Sequence, residues 1–504
     1  MIGTVLTFGI NGITAEAVSC ECFVTNGLPA FEIVGLPDTS IKEARERVRA
    51  AIKSSGIPFP NSRITVNLSP ANLKKSGGHY DLPILVGLLI AVGSVPRCDE
   101  SFAFVGEVSL EGKVRSVPGV LSMALAAKKR GVRRLYVPAD NAAEATIAQG
   151  ANVIPVRTVE ELVADLRNER RIAPQAPYVL SGSGSYDVDY KDVVGQDDAK
   201  RSMLIAAAGG HNVLLIGPPG SGKSMISKRI PTILPDLTRE ESLEVSQIYS
   251  VLGLLNPSKP LITERPFRSP HHTVSNAGLV GGGTFPKPGE ISMAHKGVLF
   301  LDEFPEFHKD TLELLRQPLE DGNITISRSN GSVTYPAQSI LVCAMNPCPC
   351  GWHGYGGRRC KCTPKAIERY VSKISGPLLD RIDMIVEVPP VSYKEMKDRR
   401  ETESSASMKR KVDRALEIQF KRFGNGYMRN GHMGPEAIRE FCVMDPSAEG
   451  LMKSVFEELN LSARGHDRLL KLARTVADMR NSERIGFEHL AEAISMRTKT
   501  IGEV

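Results

Sequence analysis

The stretch from Asn212 to Ser224, NVLLIGPPGSGKS, limits what this chain can fold into more than any other. Gly217, Pro218, Pro219, Gly220, Ser221, Gly222, Lys223 and Ser224 fit G-x-x-x-x-G-K-[ST], the spacing of a phosphate-binding loop. That loop needs a buried strand before it and a helix after it. The apolar run Val213–Ile216 supplies the strand, and a helix is expected to open at about Gly222. Glycines let the backbone curl so that several N–H groups point at phosphate oxygens. The helix N-terminus adds unpaired N–H groups and partial positive charge. In such a loop Lys223 reaches the β- and γ-phosphates of ATP and the Ser224 hydroxyl ligates Mg²⁺. A Gly/Pro-rich turn that binds nothing would leave the lysine and serine unexplained.

A second apolar run, Gly297-Val298-Leu299-Phe300-Leu301, ends in Asp302 and Glu303. A carboxylate at such a strand end holds the Mg²⁺ shell, here Asp302. The next one, Glu303, is placed to polarise the attacking water. The strand expected over 339–344 ends near Asn346, which either helps Glu303 orient that water or caps a turn before Pro347. Two runs, 323–328 and 332–335, read as a hairpin around Asn330-Gly331. A Gly- and Pro-rich stretch, 265–283, carries His271-His272. It reads as a loop facing a pore, with Lys287 as a further candidate strand contact, or as a metal-binding pair.

Cys348, Cys350, Cys360 and Cys362 form C-x-C–x9–C-x-C. Four thiols so close match a tetrahedral zinc site in number, and Pro349, Gly351, Gly354, Gly356 and Gly357 supply the bends that C-x-C ligation needs. Free cysteines are the alternative, and disulfides are not expected in a reducing compartment. Around the cluster, Arg358, Arg359, Lys361 and Lys365 alternate with Trp352 and Tyr355. This is either a nucleic-acid contact or a solvated basic knuckle.

The 504 residues suggest about two to four domains. A composition of 41% hydrophobic and 24% charged residues is that of a soluble globular protein, and a net charge of +6 is too mild to imply nucleic acid by itself. Basic residues nevertheless outnumber acidic ones between Trp352 and Gly434. The longest apolar stretch, 82–95, is too short to span a bilayer, and the opening MIGTVLTFGING has no basic n-region. A cytoplasmic protein without membrane contact is expected. Residues 1–165 read as an α+β block, with helices over 40–56, 82–92 and 120–130, strands over 1–10, 21–24, 63–68 and 134–137, and a hairpin over 105–114. Residues 166–190, with Ser181–Ser185, read as a linker, 191–390 as the ATPase core and 391–504 as a helical lid. Within these spans, helices are expected from the phosphate loop to about Leu234, over 240–251, over 394–423, from Leu461 to Met479 and over 488–496.

Several motifs resemble known families. Gly106–Val114, Pro118-Gly119 and Tyr136–Asn141 resemble the proteolytic domain of the Lon family, whose chemistry requires a serine activated by a lysine. The serine position falls on His79, the lysine position on Leu121, and Ser76 nearby has no matching base. The resemblance therefore implies a Lon-like fold without protease chemistry. Val194-Gly195-Gln196 resembles the stretch near the adenine in AAA+ ATPases. In that clade Asn346 corresponds to sensor 1, and Leu378-Leu379-Asp380-Arg381 to the segment carrying the arginine finger. Arg381 then reaches a neighbour's ATP, unless it pairs locally with Asp380 or Asp383. Ser462-Ala463-Arg464-Gly465 resembles the sensor 2 entry, with Arg464 near the γ-phosphate and Arg468, one turn on, as the competing candidate.

Residues 190–504 are similar to the magnesium-chelatase-like branch of AAA+ proteins. With the Lon-like block and Cys-Pro-Cys-Gly after the sensor strand, nearly the whole chain resembles the YifB/ComM family. The fold implied is multidomain α/β: a Lon-protease-like α+β domain, an AAA+ P-loop α/β core and a helical lid. The function implied is an ATP-driven homo-hexamer moving on single-stranded and branched DNA, a helicase promoting branch migration in recombination during natural transformation. The cofactors are ATP, Mg²⁺ and Zn²⁺. The competing reading is a magnesium-chelatase-type ATPase subunit acting on a protein partner, although no porphyrin-binding domain is recognisable. A protease fails on the missing serine–lysine pair, and an ATP-gated scaffold needs neither Glu303 nor Arg381.

Overall fold

A computed structural model describes residues 2–179, 186–283, 285–328, 331–355, 360–393, 397, 402–424, 428–458 and 460–497. The expected linker core Ser181–Ser185, the turn residue Asn330, and Gly356, Gly357, Arg358 and Arg359 of the basic knuckle lie outside these residues. The protein is a mixed α/β, multidomain structure with a parallel-sheet core and many helices. Residues Met1–Gly182 with Arg239–Ile262 form one compact unit, and Ser183–Thr238 with Thr263–Val504 the other. The segment 239–262 lies inside the span read from sequence as the core, yet its contacts belong to the first unit.

The first unit is built on a seven-stranded mixed sheet in the order Ala30–Val34, Arg63–Ser69, Thr14–Thr25, Ile2–Asn11, Phe102–Phe104, Arg134–Pro138, Asn152–Val156. The opening hairpin is longer than its apolar centre suggests: Ile2 pairs with Phe23 and Asn11 with Thr14. Helix Asp81–Ala91 is buried on every side, as its unbroken apolar sequence requires. It lies so close to the first strand that a Cβ on Gly3 would stand 2.1 Å from the Gly87 carbonyl oxygen. Three strands, 30–34, 102–104 and 152–156, were not legible as such, being short runs whose pairing partners are distant in sequence. Glu107–Val108 pairs with Val114–Arg115 as the expected hairpin.

Helix Arg239–Leu252 joins this unit through polar contacts. Its Gln247 donates to the Ile13 carbonyl (3.1 Å) and its Ser250 hydroxyl donates to Glu144. Glu144 is buried and also accepts from the Leu121 amide (2.9 Å) and the Asn141 amide (3.0 Å). Burial raises its pKa, against the pull of these donors. The two positions that a protease would use are sealed. Leu121 is fully buried beside Ile147 and Leu261. His79 is 4% exposed, and burial pushes it down to about 4. Lys75, beside Ser76, is buried and donates to the Pro70 carbonyl.

The second unit holds a five-stranded sheet in the order Phe267–Arg268, Val298–Leu301, Ile340–Met345, Val213–Ile216, Met384–Glu387. Every pairing in it is parallel. Continuous apolar strands such as VLLI and ILVCAM suit a parallel sheet covered on both faces. After the phosphate loop the helix is shorter than expected: Lys223–Ser227 is followed by a 3₁₀ turn, Ile230–Ile233. Pro231 lacks the N–H that a continued helix would need. The lid consists of helices Ser405–Phe423, Pro435–Phe441, Pro446–Glu458, Ala463–Met479 and Phe487–Ser495. The first is capped by the Ser404 hydroxyl, which accepts from the Ser407 amide (3.3 Å), and the expected helix start at Lys394 lies outside the described residues. Among the described residues no helix is long and apolar enough to cross a membrane.

One ion cluster ties the lid together. Asp478, fully buried, accepts from Arg422 (2.7 Å), Arg474 (3.1 Å) and Asn430 (2.7 Å). Removing the carboxylate leaves two guanidinium groups without their counter-ion. Asp478→Asn is expected to lower stability by about 3–5 kcal/mol, read by urea unfolding of the full chain. A loss under about 1 kcal/mol would show that the arginines find other partners.

Candidate nucleotide site and cysteine cluster

Parallel strands end together, and that is what assembles the site. Ile216 lies opposite Met345, and Leu301 opposite Cys343. Gly217, Asp302 and Asn346 therefore leave one edge of the sheet, the carboxyl edge where ligands bind in open α/β folds. Lys223 is 8% exposed, and its ammonium donates to the carbonyls of Gly217 (2.7 Å) and Pro218 (2.9 Å) and to Asn346 Oδ1 (3.3 Å). Ser224 donates to Asp302 Oδ2 at 2.6 Å, so the two groups that would share Mg²⁺ are already in contact. When bound, Mg²⁺ neutralises phosphate charge. The residues present fit ATP: a cation held only by neutral oxygens, a hydroxyl–carboxylate pair and a turn of backbone amides.

Glu303 follows Asp302 in a left-handed conformation (φ 52°), rare for a non-glycine residue and held here by its N–H bond to Asp302 Oδ1 (2.9 Å). Its carboxylate is 59% exposed and meets His272 Nδ1 at 3.2 Å. The paired histidines lie against each other with ring centroids 4.0 Å apart and planes tilted by 35°, and one of them faces the glutamate. Gln196 donates to the carbonyls of Ser221 (3.3 Å) and Pro389 (2.6 Å), tying the Val-Gly-Gln stretch to the phosphate loop. Neither His272 nor Gln196 carried a sequence signal for these contacts.

Arg381 and Arg464 stand elsewhere. Arg381 precedes strand Met384–Glu387, whose first residue is paired with Val213. It lies at the amino edge of the sheet, a four-residue strand or roughly 13 Å from the carboxyl edge at ~3.3 Å per residue. Asn212 fixes that edge: it donates to the Arg381 carbonyl (3.1 Å) and Asp383 Oδ2 (2.9 Å) and accepts from the Leu341 amide (2.9 Å). The Arg381 guanidinium, 8% exposed, donates to the Pro377 carbonyl (2.6 Å) and pairs with Glu320, not with Asp380 or Asp383. Arg464 approaches the same Glu320 at 3.9 Å, while Arg468 sits 4.0 Å from Asp383. With Lys471 these cations line a cavity of about 440 Å³. Among the described residues neither Arg381 nor Arg464 has a hydrogen bond or ion pair to the phosphate loop, Asp302 or Glu303.

The cysteines converge. Sγ atoms of Cys348, Cys350 and Cys360 lie 3.3–3.6 Å apart, and all four ligand atoms fall within 4.8 Å of one another. A tetrahedral Zn–S₄ centre with bonds of ~2.3 Å has sulfurs about 3.8 Å apart, so the four thiols fit one ion. His353 is not part of the group.

Sequence comparisons agree with this architecture. The family descriptions "Magnesium chelatase, subunit ChlI" and "Magnesium chelatase, subunit ChlI C-terminal" match residues 189–396 and 402–497, and "Subunit ChlI of Mg-chelatase" matches 20–141. YifB of Escherichia coli (strain K12) is 44% identical over 489 residues, 96% of this chain and 95% of its own. The competence protein ComM of Haemophilus influenzae is 41% identical over 495 residues, with 96% and 95% covered. The chain belongs to the YifB/ComM family of magnesium-chelatase-like AAA+ proteins. Membership carries ATPase activity. Lon protease 2 of Bacillus subtilis is 28% identical over 145 residues, covering 27% of this chain and 26% of its own.

Burial lowers Lys223 to about 8, against the opposing charge of Asp302. Bound phosphates restore the ammonium, so nucleotide binding above about pH 8 takes up a proton. The association constant is expected to be flat below that pH and to fall above it, by up to about tenfold per unit. Calorimetry in two buffers of different ionisation enthalpy measures the uptake. Lys223→Arg, always charged, is expected to show none; absence of uptake in the unsubstituted protein contradicts the assignment.

Proposed function

We propose that this protein is an ATP-driven ring motor that moves along DNA and migrates branched DNA during recombination of incoming strands. The observation that carries the reading is the division of the nucleotide site between two edges of one sheet. The carboxyl edge offers Lys223, Ser224, Asp302, Glu303 and Asn346; the amino edge offers Arg381 and Arg464. A chain cannot fold its own sheet away, so the arginines complete a site only on a neighbouring subunit. Head-to-tail contacts of this kind close into rings, and a homo-hexamer is the assembly proposed. Glu303 positions water, Arg381 and Arg464 stabilise phosphate charge, and Asn346 holds Lys223 in place.

The name of the competence protein from Haemophilus influenzae supports a role with transforming DNA. The excess of basic residues after Trp352 suits single-stranded and branched DNA, whose binding would be strongly salt-dependent. Residues 1–165 are proposed as a Lon-like domain without a serine–lysine pair, 166–190 as the linker, 191–390 as the AAA+ core and 391–504 as the lid, in a cytoplasmic protein. Cys348, Cys350, Cys360 and Cys362 are proposed to hold Zn²⁺, which would supply structural cross-linking rather than catalysis. The chelatase-family matches favour a second reading, a motor acting on a protein partner rather than on DNA.

Two measurements test this. ATP turnover of the assembled ring is expected to rise severalfold with a four-way junction or single strands; no response to any DNA would leave only the protein-partner reading. Lys223→Ala and Arg381→Ala chains are each expected to be inactive alone. Mixed in equal amounts they are expected to recover turnover at about a quarter of the interfaces, where each intact half meets the other. No recovery, with mixed rings demonstrated, would show that each chain completes its own site.

A further inference from the structure

The cysteine cluster is joined to the phosphate loop along two paths. The first runs from Cys348, fully buried, which follows Asn346 by two residues. Asn346 accepts from the Lys223 ammonium through its side chain. The turn closed by the Gly351 amide on the Cys348 carbonyl (2.9 Å) presses directly on the loop. A Cβ on Gly351 (φ +82°) would stand 2.6 Å from Pro219 Cδ. Only glycine tolerates both that backbone and that approach. Beyond it, Tyr355 donates to Glu387 (2.8 Å), the last residue of the strand whose register partner is Ile216.

The second path leaves the other pair of thiols. Cys362 precedes Thr363, whose hydroxyl caps helix Pro364–Val371 by accepting from the Ala366 amide (3.3 Å). That helix carries Tyr370, 6% exposed, whose hydroxyl lies beside the Asn346 backbone amide. Both halves of the cluster therefore end on Asn346 or Pro219. No disulfide cross-links 348–350 to 360–362, because all four cysteines are free.

We propose that the metal held by these thiolates is an allosteric element of the nucleotide site: nucleotide binding and metal retention stabilise each other. The inference rests on the zinc reading above. The ion pins the 348–355 turn and helix 364–371 in one arrangement, and that arrangement backs Pro219 and orients Asn346 toward Lys223. Coupling of this kind is reciprocal by thermodynamic necessity. A metal that strengthens nucleotide binding is itself held more tightly once nucleotide is bound.

The experiment uses the full chain loaded with Zn²⁺. Metal release to a chromogenic chelator is timed with and without saturating ADP, and the affinity for a fluorescent ADP is measured before and after the metal is stripped. Nucleotide is expected to slow release, and stripping to weaken ADP binding, by at least about fivefold, the lower end of ordinary coupling. Tyr355→Phe and Gly351→Ala keep all four cysteines and are expected to retain one zinc per chain while the nucleotide effect on release shrinks. Tyr355→Phe, which loses only a hydroxyl, serves if Gly351→Ala does not fold. Equal release rates with and without ADP in the unsubstituted protein overturn the proposal and leave the zinc reading standing. A purified chain with no stoichiometric metal and four titratable thiols overturns both.

Discussion

The nucleotide site depends first on the register of a parallel sheet. Val298 lies opposite Ile340 and Val213 opposite Val342 in parallel strands, so the chain leaves all three at one edge. No hydrogen bond among Gly217, Asp302 and Asn346 has to be found by chance, because the ladder delivers all three segments to the same place. The same ladder keeps Arg381 away from them. It enters strand Met384–Glu387 from the other edge, beside Asn212, whose backbone and side chain bond to two neighbouring segments. Proximity of one set of residues and separation of the other are a single geometric fact.

Much of the carboxyl edge was legible in the sequence for the same reason. The motif that names Lys223 also demands a strand before it, and the apolar run that ends in Asp302 and Glu303 is itself the strand that places them. Local sequence carries the information because the catalytic groups sit at strand ends. The contacts that complete the site were not legible, since they are long-range: His272 on Glu303, Gln196 on Ser221, Glu320 on Arg381, Gly351 on Pro219. Each joins residues far apart in the chain through a side chain or glycine that has common uses elsewhere. The helix after Lys223 was overestimated because apolar residues continue to Leu234 while Pro231 ends the hydrogen-bonding pattern. In the first unit, strand 30–34 at the sheet edge is short and has no fully buried residue to announce it.

The first unit shows the opposite relation between motif and chemistry. The positions that the Lon resemblance would assign to hydrolysis lie in its core. Leu121 packs against Ile147 and Leu261, and its amide is held by Glu144. His79 is buried in its neutral form, since burial moves its pKa far below the ordinary histidine range. An imidazole that stays neutral above about pH 4 and faces no solvent can neither accept a proton from a serine nor carry one to substrate. Helix Arg239–Leu252 packs against this region through Ser250 and Gln247.

The pairing of Arg381 with Glu320 bears on how the two edges of the sheet would serve the proposed ring. The arginine is 8% exposed and the glutamate 54%. Arg381, the largest influence, and then Arg464 hold the Glu320 carboxyl below its usual range. The partners are therefore unequal. If Glu320 leaves, water receives it at little cost, whereas the guanidinium, buried between the Pro377 carbonyl and the helix that carries Glu320, needs another anion in the same place. A buried arginine without a counter-ion is strongly unfavourable, and a phosphate matches the guanidinium fork as well as a carboxylate does. In the proposed ring, exchange of Glu320 for the phosphate of a neighbouring subunit would keep the charge paired at every stage. Within its own chain the arginine is already ordered by the Pro377 carbonyl and Glu320.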